Sequence, residues 1–197
     1  MTFRLGLTGS IGMGKSTTAR MFEDAGCALW DADAAVHRLY AKDGAAVAPM
    51  VHAFPDAIVD DAVDRAALRG IISTDATALK RIEAIVHPLV AADRATFIAN
   101  ASADILVFDI PLLFETGGEA SMDAIAVVWV SEDIQKDRVL ARGTMTIAQF
   151  NAIKAKQIPS DEKRARADFQ IETDTLEHAS TQVHHVIEQI RNRAPHA

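Results

Sequence analysis

The chain is poor in the residues that mark extracellular, membrane and nucleic-acid-binding proteins. It has one cysteine, one tyrosine and two tryptophans in 197 residues. A lone Cys27 excludes an internal disulfide and any metal site built on several cysteines, and it suits a reducing compartment. Its place at the start of an apolar run reads as a small core position. No apolar stretch approaches the roughly 18 residues of a membrane-spanning helix. The first residues lack the charged, hydrophobic, small-residue order of a secretory signal. Basic residues are outnumbered, 20 against 27 acidic, for a net charge of −7 and a pI near 5.4. So acidic a chain has no excess of positive charge with which to hold a polyanion non-specifically. These shortages predict a cytoplasmic protein with no nucleic acid, no membrane and no obligate protein partner. There is no repeat or low-complexity segment, and 49% hydrophobic residues suffice for one sizeable core with a small subdomain.

The richest stretch lies near the start. Residues Gly9, Ser10, Ile11, Gly12, Met13, Gly14, Lys15 and Ser16 complete the pattern G-x-x-x-x-G-K-[ST]. The run Phe3 to Thr8 before it reads as a strand, and Thr17 to Glu23 after it reads as a helix, which is the context a phosphate-binding loop requires. Glycines let backbone N–H groups approach phosphate oxygens closely, and the helix N-terminus adds partial positive charge there. Lys15 is the residue to reach the β- and γ-phosphates, and the Ser16 hydroxyl is a ligand for Mg²⁺.

Four more strands are predicted, at Cys27–Asp31, Ile105–Asp109, Ala124–Val130 and Phe169–Thr173, three of them near-continuous apolar runs that suit a buried parallel sheet. Helical patterns lie between them. The expected fold is α/β, a P-loop NTPase-type parallel five-stranded sheet flanked by helices, in one domain over 1–197. The core takes about 1–31, 104–130 and 168–197. The alanine-rich stretch of about 32–103 reads as a helical acceptor-binding insertion, with a turn at Phe54–Asp56 and a break at His87–Pro88. About 131–167 reads as a helical lid, where Thr146 with Gln149 forms a capping box and Ile158–Ser160 ends that helix. Residues 136–166 carry eight basic and three acidic side chains, an island that suits closure over a polyphosphate.

A P-loop specifies nucleotide but not reaction. The Asn-Lys-x-Asp and Asp-x-x-Gly signatures of GTPases are absent, as is a transporter signature, which leaves a small-molecule kinase. Such an enzyme needs a base for the acceptor hydroxyl and a metal site. The second strand ends in Asp31-Ala32-Asp33, where carboxyl ends of strands face the ligand crevice. Either carboxylate could instead cap the following helix. The third ends at Asp109 after four apolar residues, like a Walker B strand, and points to Mg²⁺.

Five stretches resemble the dephospho-coenzyme A kinase family, in order and spacing over nearly the whole chain: Gly6–Thr17, Asp31–Asp33, Ile82–Leu89, Asp109–Glu115 and Lys163–Phe169. The resemblance implies transfer of the ATP γ-phosphoryl group to the ribose 3′-hydroxyl of dephospho-CoA. It makes Asp33 the base. It places Thr8, His87, Leu112, Leu113, Phe114 and Glu115 at the acceptor. Residues 9–17, Thr17 included, go with ATP, joined by Arg138 and Arg142 from the lid, and Ser16 and Asp109 go with Mg²⁺. Ser10 and Met13 depart from the residues common in the family. The alternatives are a nucleoside or nucleoside-monophosphate kinase and, in another class, a nucleotide-dependent regulator. Acceptor-dependent ADP release separates them.

Overall fold

A computed structural model of the chain describes residues 2–193. They form two compact units, one reaching to Trp30 and resuming at Ala101, the other Asp31–Asn100.

The first unit is built on a five-stranded sheet. In chain order its elements are strand β1 (Phe3–Thr8), helix α1 (Lys15–Asp24) and strand β2 (Ala28–Asp31). After the second unit, β5 (Ile105–Asp109), β6 (Ala124–Trp129), α6 (Glu132–Ala141), α7 (Ile147–Lys154), α8 (Ser160–Arg166), β7 (Phe169–Glu172) and α9 (Leu176–Arg193) complete it. The strand order is β2-β5-β1-β6-β7. The β1–β5, β1–β6 and β6–β7 pairs are parallel, with Leu7 opposite Asp109 and Ala126 opposite Phe169. Every residue of β5 is buried, which is why that run shows no polar alternation. Leu5, Leu7, Val107, Ala126 and Val128 share a core with Phe22 of α1 and with Val183, Ile187 and Ile190 of α9. Cys27 is 5% exposed in that same core. Successive strands are added first on one side of β1 and then on the other, so the carboxyl end of β1 is a switch point of the sheet.

The second unit contains α2 (Ala32–Tyr40), α3 (Val47–Ala53), β3 (Ile58–Val59), β4 (Ala62–Val63), α4 (Arg65–Thr74) and α5 (Ala78–Asn100). Its own core joins Leu39, Met50, Phe54, Leu68, Ile82 and Val86. Two sequence expectations are corrected here. The stretch is not all helical, because Ile58 pairs with Val63 and Val59 with Ala62 in a hairpin. Its turn residues Asp60 and Asp61 have φ of 50° and 62°, the left-handed pair that a tight hairpin needs. Nor does His87–Pro88 end a helix, for α5 runs through Pro88 over 23 residues. Proline removes one N–H from the helix, but Ile82 and Val86 are buried before it and α5 packs on α2, with Arg38 paired to Asp93 at 2.7 Å.

In the first unit the capping box at Thr146 and Gln149 is present, but its helix ends at Lys154, before the expected Ile158–Ser160 stop. No helix of the described residues is long and apolar enough to cross a membrane.

Candidate active site

The loop between β1 and α1 turns tightly, the Met13 N–H donating to Ser10 O at 3.1 Å. Gly12 and Gly14 have φ of 79° and 85°. A Cβ on Gly12 would lie 2.5 Å from Val139 Cγ2, and one on Gly14 would lie 3.0 Å from Thr173 Oγ1, so backbone shape and crowding both require glycine. Gly14 is the N-cap of α1 and no side chain caps that helix, which leaves first-turn amides for an external anion. The two departures from the family pattern are accommodated by burial. Ser10 is 8% and Met13 2% exposed, and the Met13 sulfur accepts the Val130 N–H at 3.2 Å.

Lys15 and Asp109 meet. The lysine ammonium forms an ion pair with Asp109 Oδ1 at the end of β5, while Ser16 and Thr17 are exposed at the start of α1. The pairing follows from the register, since β5 lies beside β1 and Asp109 beside Leu7, one residue short of the strand end. Ser16 and Asp109 supply a hydroxyl and a carboxylate. Among the described residues no group of three or more His, Cys, Asp or Glu could cage a metal by itself.

Arg138 on α6 reaches across to the end of β7, donating to Thr173 Oγ1 at 3.0 Å and to Thr173 O at 2.5 Å. Thr173 Oγ1 donates to Met13 O at 2.9 Å, so one threonine joins the P-loop to α6. Arg138, Arg142, Thr17, Thr173 and Leu176 line a cavity of about 200 Å³ beside the start of α1. Several other cations of the basic island have protein partners. Lys154 pairs with Glu132 at 2.6 Å and Arg166 with Glu119 at 2.7 Å. Arg164 lies 3.7 Å over the Trp129 ring, which gives it a stacking partner.

The segment after Asp109 is anchored by Thr8, whose buried hydroxyl donates to Pro111 O at 3.1 Å. Of its residues Leu112 is 43% exposed, whereas Leu113 and Phe114 pack into a small core with Ile125 and Val127. Glu115 turns inward. Its Oε1 lies 2.7 Å from Nζ of Lys163, a lysine with no exposed surface, and accepts the Ile158 N–H at 3.1 Å. Burial pushes the Glu115 carboxyl upward. The hydrogen bonds from Lys163 and from backbone amides outweigh burial and hold it below the usual glutamate value.

Within the second unit, Asp31 is the N-cap of α2 and accepts the Ala34 N–H at 3.0 Å. Asp33 is exposed in the first turn and is not the cap. His87 is exposed on α5.

Three side chains that tie the site together escaped the sequence reading, Thr173, Gln135 and Gln157, and of Lys163 it gave the place in the basic island and in the Lys163–Phe169 stretch but not the burial against Glu115. Gln135 left a trace, because it stands one turn before buried Val139 on the core face of α6, where an apolar residue is expected. Thr173 and Gln157 left none, since their partners in the P-loop lie 160 and 146 residues away.

A parallel sheet with a P-loop at its switch point, and a P-loop lysine set against a carboxylate on the neighbouring strand, define a P-loop NTPase-type fold. The chain belongs to the dephospho-CoA kinase family, whose sequence pattern matches residues 3–178. It is 71% identical to a dephospho-CoA kinase of Ruegeria pomeroyi over 197 residues, all of both chains. Among solved structures, one from Thermus thermophilus is 28% identical, with a TM-score of 0.84 over 99% of each chain. A dephospho-CoA kinase from Campylobacter jejuni shares the fold, with 23% identity, a TM-score of 0.71 and 98% of each chain covered.

Proposed function

We propose that the protein phosphorylates the ribose 3′-hydroxyl of dephospho-CoA with ATP, giving coenzyme A and ADP in the cytoplasm. The observation that carries this reading is the continuity of Asp109 with Leu112–Glu115. A strand-end carboxylate paired to the P-loop lysine runs directly into the segment that the resemblance places at the acceptor.

The amides of residues 9–17 that the loop does not itself use, and the Lys15 ammonium, hold the β- and γ-phosphates. Lys15 then exchanges part of its contact with Asp109 for phosphate oxygens. The cavity lined by Arg138 and Arg142 takes the rest of the nucleotide. Ser16 and Asp109 are hard oxygen donors that fit Mg²⁺, which keeps much of its coordination for phosphate and water. Held there, the ion would neutralise charge on the β- and γ-phosphates. Thr8, His87 and Leu112–Glu115 belong to the acceptor side, Leu113 and Phe114 from beneath as a packed support and Leu112 from the surface. Asp33 orients the 3′-hydroxyl and accepts its proton as the oxygen bonds to the γ-phosphorus and the bond to the bridging β–γ oxygen breaks. The transition state is loose, so positioning and charge neutralisation supply most of the acceleration. Support for Asp33 as base is that Asp31 already caps α2, which leaves the Asp33 carboxylate for other work. Helices α6–α8 act as the lid.

A coupled ADP-release assay tests the reading. ADP release should depend on dephospho-CoA and be absent with nucleosides or nucleoside monophosphates. Release that is independent of acceptor would sink it.

A further inference from the structure

Ile11 stands at the tip of the P-loop, and both of its backbone polar groups are held by glutamine side chains. Its N–H donates to Gln157 Oε1 at 3.2 Å, and its carbonyl accepts from Gln135 Nε2 at 2.7 Å. Gln135 is buried on α6. Gln157 is half-buried in the connection between α7 and α8. Both line a cleft of about 670 Å³ that Ser10 and Met13 also face.

The residue after Gln157 is fixed from the opposite side. Ile158 donates its N–H to Glu115 Oε1 at 3.1 Å and packs against the cluster of Leu113 and Phe114. Glu115 is in turn held at 2.7 Å by the wholly buried Lys163 of α8. Two adjacent residues of one connection therefore grip two different parts of the site. Gln157 grips the nucleotide loop, and Ile158 is gripped by the end of the acceptor segment.

A loop with left-handed glycines at 12 and 14 does not fix its own shape. Its amides act on phosphate only if they are aimed beforehand. At a half-buried site the Ile11 N–H could bond to water instead, so the bond to Gln157 contributes little to stability. What it adds is a direction for the loop tip, set by the same connection that Glu115 anchors.

We propose that Gln157 is a positioning residue for phosphoryl transfer. It holds the P-loop tip in the geometry of the transition state and ties that geometry to the Leu112–Glu115 segment. The role rests on the phosphoryl-transfer reading given above. The test compares Gln157→Ala and Gln157→Glu with wild type, by single-residue amide exchange at Ile11 without substrates and by steady-state kinetics with ATP and dephospho-CoA. In Gln157→Ala the Ile11 amide should lose protection. Its kcat should fall about 5- to 10-fold, the worth of one well-aimed hydrogen bond, while KM for dephospho-CoA changes by less than about twofold. The thermal midpoint should stay within about 2 °C of wild type. Gln157→Glu keeps an acceptor oxygen and should restore protection at Ile11. Unchanged Ile11 exchange in Gln157→Ala, or an unchanged kcat beside an active wild type, would overturn the positioning role. So would a lowered thermal midpoint with kcat intact, since that is what a purely structural residue gives. A wild type inactive on dephospho-CoA would count against the substrate, while the exchange at Ile11 would still decide the clamp.

Discussion

Asp31 and Asp33 are two residues apart and do different things. Asp31 accepts the Ala34 amide at the head of α2, whereas Asp33 is exposed in the first turn, where its charge suits the helix dipole but caps nothing. Asparagine is as good a cap as aspartate, so Asp31→Asn should leave stability almost unchanged. Asp31→Ala should cost about 1 kcal/mol in urea unfolding. Asp33→Asn should leave the protein as stable and its affinity for both substrates similar, while turnover drops by roughly 10²- to 10⁴-fold, the range of a lost general base. Measuring kcat and calorimetric affinity for both asparagine variants decides the matter. A larger loss at Asp31 than at Asp33 would mean that the other carboxylate is the base.

Among elements, the connection from α7 to α8 and the buried pair beneath it bear the most. Glu115→Ala would leave the Lys163 ammonium buried without its counter-charge, which should destabilise the protein by about 3–5 kcal/mol. Replacing both partners, as in Glu115→Gln with Lys163→Met, should cost clearly less than the single change. Urea midpoints of the two variants check this, and a double variant worse than Glu115→Ala would show that the pair's charge is not what matters. For α6–α8 as a lid, amide exchange over residues 136–166 should slow when an ATP analogue is added. Equal protection with and without nucleotide would remove the lid from the mechanism.

The elements also show which signals a sequence carries. Strand β5 was readable because all five of its residues are buried and the first four are apolar, and β1 because its buried part, Leu5 to Thr8, leads straight into the glycine loop. The hairpin of β3 and β4 stayed hidden because two-residue strands have no period, and because its left-handed turn uses Asp60 and Asp61 where asparagine and glycine are the usual sign. Pro88 misled because the loss of one N–H is local, while the packing that keeps α5 whole is not. The basic island misled in part, since a count of charges cannot tell that Lys154 and Lys163 already have carboxylates. The P-loop was readable because its chemistry lies within eight consecutive residues. The glutamine that holds its tip was not, being 146 residues further along the chain.

For the whole molecule, a buried thiol and a half-buried carboxylate set opposite limits on pH. Burial pushes the Cys27 thiol up from 9.0 to about 11, with Arg191 opposing and Asp104 assisting. A raised thiol value means that the folded state favours the neutral form. That contribution is complete below pH 9 and is lost as pH rises from 9 towards 11, by an amount of order 2 kcal/mol. Glu115 has the reverse sign. Its lowered value contributes stability above the ordinary glutamate range and loses it as pH falls through the folded-state value. The stability gap between wild type and Cys27→Ala, taken from urea unfolding, should therefore be wider at pH 8 than at pH 10.5. A gap that does not change with pH would refute the buried-thiol account.

The order in which a ribosome releases the chain interacts with the two-unit division. Strand β1 pairs with β5 from Phe3 opposite Ile105, 102 residues later, and with β6 later still. The unit Asp31–Asn100 has all of its own core once Asn100 has emerged. Closing a loop of a hundred residues costs entropy that only the later strands repay, whereas the inner unit closes short loops. During synthesis the inserted unit can gain structure while β1, with Leu5 and Leu7 apolar and unpaired, still waits for its neighbours. The nucleotide loop would thus be made before the inserted unit and take shape after it. Nascent chains stalled with residue 100 just outside the tunnel should already resist protease over 31–100 while residues 1–30 are cut. Equal cleavage of both stretches would show that the sheet and the inserted unit form together.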